Sequence, residues 1–130
     1  MLSDEVPAFG QQILVSLDKC RHVGYPTLHD VKGWVRSVVD QICRAANILP
    51  YEDDSIGMQC SINSHEPRMH GLTILQPLST SSLVIHTVFS SSRVHVDLWS
   101  CQVFDTEAVL DACKLAFDGE LKNFQVIEWD

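Results

Sequence analysis

Positive charge is scarce in this chain. Nine Lys and Arg stand against 17 Asp and Glu, a net charge of −8. A nucleic-acid backbone is therefore not expected as a partner, because binding phosphates needs a basic surface. The acidic balance suits cationic small molecules such as amines or sulfonium compounds. Long apolar runs are also missing. None approaches the ~20 residues that cross a bilayer, so no membrane partner is expected. The opening MLSDEVPAFG has acidic residues and no apolar h-region, which predicts no signal peptide and a short flexible lead-in over 1–10. The five cysteines are odd in number and form no C-x-x-C: Cys20, Cys43, Cys60, Cys101 and Cys113. That pattern predicts a reduced, cytoplasmic protein. No metal is expected either. His65 and His70, with Glu66 beside the first, are spaced five apart across Pro67, which fixes no helical face, and no further ligand accompanies them. His22 and His29 read as exposed loop histidines.

What remains is an ordinary globular composition, 45% hydrophobic and 20% charged over 130 residues, which predicts a single domain over 1–130. Residues 11–17 (QQILVSL) read as a strand. Asp30 can cap a helix over about 31–48, where Val31, Trp34, Val35, Val38, Val39, Ile42, Cys43 and Ala46 recur at three and four. Gly33 weakens its first turn, and Asn47 and Pro50 mark its exit. Residues 51–55 are an acidic loop, 58–62 a short strand and 63–70 a loop. Strand-like runs follow at 72–78, 83–89 and 94–99. In the last, Val94, Val96 and Leu98 alternate with His95, Asp97 and Trp99. Asp105 or Thr106 caps a second helix over 107–117, and Gly119 is a good stop. A final strand covers 124–129, with Phe124 and Val126 opposite Gln125, Ile127 and Trp129. The order is β-α-β-β-β-β-α-β. Two amphipathic helices with a largely antiparallel sheet make an α+β fold, a two-layer α/β sandwich with both helices on one face.

Reactive side chains concentrate in residues 71–101, GLTILQPLSTSSLVIHTVFSSSRVHVDLWSC. Thr73, Ser81, His86 and Cys101 lie there among the three strand-like runs. Ser81 stands five residues before His86 in Ile85-His86-Thr87, and Cys101 ends the next strand. This order and spacing resemble the bacterial and archaeal S-adenosylmethionine decarboxylases, small pyruvoyl enzymes made by self-cleavage. The family has a Glu-Ser-His cleavage tripeptide, an Ile-His-Thr run, a strand ending in Cys, and a Gly-x-Ser-like turn matched here by Gly71-Leu72-Thr73. More weakly, 12–20 looks like its first strand and following Cys, and 31–49 like its first helix.

The resemblance implies cleavage between Thr80 and Ser81. Ser81 Oγ would attack the Thr80 carbonyl, β-elimination of the ester would leave dehydroalanine, and its hydrolysis by water with loss of ammonia would leave a pyruvoyl group as cofactor at the new N-terminus. It implies His86 as the base for the Cα proton, Thr73 as the supporting hydroxyl, and Cys101 as the acid that reprotonates the substrate carbon. The pyruvoyl carbonyl would form a Schiff base with an amino acid such as S-adenosylmethionine and act as an electron sink, feeding polyamine synthesis. A homodimer is implied as well. This chain departs from the family at Thr80 (Glu in the family), Ser82 (His), and Val88-Phe89-Ser90 (an aromatic-Pro-Glu run). The substrate-binding residues are therefore unknown. Two other readings stay open: an unprocessed, non-catalytic homologue serving as a binding or regulatory subunit, and another S-adenosylmethionine-consuming enzyme on the same fold.

Overall fold

A computed structural model describes residues 9–24, 30–48, 56–62 and 65–129. Most of the expected lead-in, His29, Pro50 and the acidic loop 51–55 lie outside the described residues.

Among the described residues six strands form one sheet: β1 (Gly10–Asp18), β2 (Gly57–Ser61), β3 (Gly71–Leu78), β4 (Ser81–Val88), β5 (Arg93–Ser100) and β6 (Glu120–Trp129). The spatial order is β2-β3-β4-β5-β1-β6, and every neighbouring pair is antiparallel. Side chains alternate across the sheet. Ile13, Val15, Leu17, Leu72, Ile74, Leu83, Ile85, Val94, Val96 and Leu98 all point to one face and are buried. Helices α1 (Val31–Ala45) and α2 (Thr106–Phe117) complete that core with Val35, Val38, Val39, Ile42, Val109, Cys113 and Phe117. Trp34 meets Phe117 edge-on at 5.9 Å, joining the two helices. The two-layer sandwich expected from the apolar periods is thus the observed architecture. The other sheet face has no helix over it among the described residues.

The boundaries shift for local reasons. Helix α1 stops at Ala45 because Asn47 turns left-handed (φ 57°) and the Ile48 N–H returns to the Cys43 carbonyl at 2.9 Å. Asp30 caps the start, accepting from the Gly33 N–H at 2.9 Å. A Cβ on Gly33 would lie 2.3 Å from that carboxylate, so the glycine that propensity marks as a weakness makes room for the cap. Asp105 caps α2 through the Ala108 N–H at 3.1 Å. At its end Asp118, not Gly119, takes the left-handed turn (φ 47°). Gly119 serves a close approach instead, since a Cβ there would sit 2.4 Å from Cys20 Sγ. Residues 67–69, expected as loop, form a short 3-10 turn, Pro67–Met69. Strand β6 begins four residues before the expected 124. It is an edge strand exposed along most of its length, so its two faces do not divide into buried and solvated sets.

Candidate active site

The β3–β4 connection is only two residues long, Ser79-Thr80, because Leu78 pairs directly with Ser81. Such a tight turn needs a left-handed residue, and Thr80 supplies it at φ 51°. For a β-branched side chain this is a strained conformation. The strained residue thus lies immediately before Ser81. Beside it, β5 ends in Ser100, which pairs with Ser81 across the two strands. The Ser81 hydroxyl donates to Ser100 Oγ at 2.8 Å. Cys101 follows, exposed, with its Sγ 2.8 Å from Thr80 Oγ1. The single Thr80 hydroxyl proton goes to the Ser79 carbonyl at 2.7 Å, so the thiol is the donor of the Cys101–Thr80 contact.

Two bonds hold the loop that carries Cys101. The Gln102 N–H donates to Ser100 Oγ at 3.1 Å. The Phe104 N–H donates to Oε1 of the buried Gln11 at 2.8 Å. The start of strand β1 therefore anchors the exit from β5.

His86 and Thr73 form a different group. They pair across β3 and β4, and Thr73 Oγ1 is 3.2 Å from His86 Nδ1. The register continues the row through His95 on β5 to Ser16 on β1, whose Oγ is 3.0 Å from His95 Nδ1. All four stand on the sheet face opposite the helices. Burial lowers the His95 pKa below its ordinary 6.5, and the neighbouring His86 and Arg93 charges push it the same way. A hollow of about 210 Å³ opens over this row, with Asp97 on its wall. Asp97 accepts from Gln12 Nε2 at 2.8 Å, and Gln12 accepts from Trp129 Nε1 at 3.2 Å.

The structure therefore brings Thr80, Ser81 and Cys101 together and Thr73 with His86, but does not join the two groups within one chain. Ser81 faces the helix side with Leu83 and Ile85, whereas His86 faces the open side. Five residues along a strand, at about 3.3 Å each, separate their Cα atoms by roughly 16 Å. Ser100 escaped the sequence reading. Its signal was a serine on the buried face of β5, where Val94, Val96 and Leu98 precede it. A larger hollow of about 340 Å³ lies between α1 and β2, lined by Lys32, Arg36 and Met58 among others. None of the candidate groups lines it, so the candidate site is taken from the chemistry and not from cavity size. Among the described residues no three His, Cys, Asp or Glu side chains group as metal ligands, and no helix is long and apolar enough to cross a membrane.

A family model described as S-adenosylmethionine decarboxylase matches residues 11–128. Among solved structures the chain is similar to the adenosylmethionine decarboxylase from Aquifex aeolicus VF5. The TM-score is 0.64 at 19% sequence identity, over 95% of this chain and 92% of that one. At such identity the likeness is one of fold. Among curated proteins none matches.

Proposed function

The chain belongs to the S-adenosylmethionine decarboxylase family, and from that premise we propose that it is a self-processing, pyruvoyl-dependent decarboxylase of an S-adenosylmethionine-like amino acid, cleaved between Thr80 and Ser81. The observation that carries this is the strained φ of 51° at Thr80 directly before a serine whose hydroxyl is already held by a hydrogen bond. A pyruvoyl group is made from the serine itself, and Ser81 opens β4 where the backbone is strained, so the residues present fit it. When formed, its carbonyl supplies the electron sink for loss of carbon dioxide.

This chain's residues have the following tasks. Ser81 Oγ attacks the Thr80 carbonyl carbon. Departure of the Thr80–Ser81 amide relieves the left-handed turn. Cys101, whose thiol already donates towards Thr80, holds a proton beside the new N-terminus and delivers it to the substrate carbon. Thr73 orients His86 through Nδ1, leaving Nε2 to act as the base. The roughly 16 Å between Ser81 and His86 means that one chain does not serve itself. In this reading His86 of one copy serves Ser81 of another, and the homodimer is part of the chemistry. The acidic surface suits a cationic substrate in the cytoplasm, ahead of polyamine synthesis.

The test is the intact mass of freshly purified protein beside a Ser81→Ala variant. Two fragments, 1–80 and 81–130, absent in the variant, are expected. One full-length mass in both would overturn the proposal. It would favour the non-catalytic binding subunit, a reading to which the departures at Thr80, Ser82 and Ser90 also point.

A further inference from the structure

We infer that Ser100 is a positioning residue for this self-cleavage: its buried hydroxyl fixes the orientation from which Ser81 attacks. The inference rests on the reading above. Ser100 has 0% exposure and continues the inward-facing series Val94, Val96, Leu98. An apolar side chain would satisfy packing there. Burying a hydroxyl instead costs free energy unless it is hydrogen-bonded. Here it accepts two bonds, from Ser81 Oγ at 2.8 Å and from the Gln102 N–H at 3.1 Å. One partner is the reacting group. The other belongs to the loop that carries Cys101.

A serine side chain has three staggered χ1 wells. The bond to Ser100 selects one of them, with the Ser81 O–H directed at Ser100 and its lone pairs turned elsewhere. The backbone N–H of Gln102 in turn holds Ser100, so the nucleophile and the Cys101 loop share one anchor. In the acyl shift the Oγ–C bond to Thr80 forms and the C–N bond to Ser81 breaks. The proton leaving Oγ ends on the Ser81 nitrogen, so the step balances without a co-reactant. Ser100 neither gains nor loses a proton overall; it orients the O–H bond.

The experiment compares Ser100→Thr with Ser100→Val, two side chains of nearly equal size of which one keeps the hydroxyl. Intact mass is followed with time in the full-length protein, with a thermal melt of each variant. Ser100→Thr is expected to cleave within about threefold of wild type. Ser100→Val is expected to cleave about tenfold more slowly, the worth of one orienting hydrogen bond. Equal rates in the two variants, with wild type cleaving, would overturn this inference and leave the proposed function standing. A wild-type chain that never cleaves would overturn both.

Discussion

Replacing Thr80 by glycine tests whether backbone strain drives the cut. At φ 51° the Thr80 Cβ crowds its own backbone. For a residue with a side chain the left-handed region costs ~1–2 kcal/mol. Glycine removes that cost in the folded chain but adds ~0.5–1 kcal/mol of backbone entropy to the unfolded one. The two oppose each other, so the folded precursor should change by no more than about 1.5 kcal/mol, a few degrees in Tm. The cleavage barrier has no such offset, because it is climbed from the folded state. Strain that no longer leaves with the amide raises it by ~1–2 kcal/mol, and T80G should cleave about five- to thirtyfold more slowly. The assay is a time course of intact mass after purification. Glycine also loses the Thr80–Cys101 contact, so Cys101→Ala is the control. It breaks the same contact with the strain intact, and should cleave near the wild-type rate while failing later, at proton delivery. T80G cleaving as fast as wild type would refute the reasoning.

Three other outcomes follow from the same geometry. Co-expressed Ser81→Ala and His86→Ala chains should give cleavage of the His86→Ala chain, which stays intact alone; no cleavage in the mixture would show that His86 does not act across copies. Of the five thiols, Cys60 and Cys101 are exposed, whereas burial pushes Cys20 to about 11 and Cys43 and Cys113 to about 12. A native thiol titration near pH 8 should therefore count two fast groups, and five after denaturation. Third, His95 has a folded pKa below its ordinary 6.5. Between those values the unfolded chain binds more protons than the folded one, so this group's contribution is full above 6.5 and is lost as pH falls through it. His95→Gln should lose less Tm than wild type between pH 7.5 and 5.5; an equal loss would remove His95 as a cause.

The layers of the fold were legible because apolar residues recur at two in the strands and at three to four in the helices. Element ends were less so. They depended on single left-handed residues, Asn47 and Asp118, and on approaches such as Gly119 to Cys20 that no local pattern reveals. Order and spacing pointed to the site residues, but the division between them was missed. Parity alone carried that signal. Ser81 shares its phase with Leu83 and Ile85, and His86 has the opposite one, so an extended strand must place them on opposite faces. Ser100 was missed for the converse reason. As a small polar residue just past the alternating run 94–99 it carried no signal of its own, and only register with Ser81 gives it a partner.

That register also determines what cleavage would do to the molecule. A cut after Thr80 assigns β1, α1, β2 and β3 to one fragment and β4, β5, α2 and β6 to the other. In the sheet they alternate: β4 bonds to β3, and β1 sits between β5 and β6. Each fragment therefore completes the other's sheet, and the two share one core, in which Trp34 of the first meets Phe117 of the second. Breaking that one amide touches the ladders only at Ser81, the first residue of β4, and leaves the pairs from Ser82 to Val88 intact. The cut chain should run as one native species and separate only in denaturant. Its new N-terminus at position 81 is expected to stay between β3 and β5, because the next pairs, Ser82 with Pro77 and Trp99 and Leu83 with Gln76 and Leu98, are untouched by the cut. The fold can thus release strain at the bond it cuts while keeping in place the residue that the cut transforms.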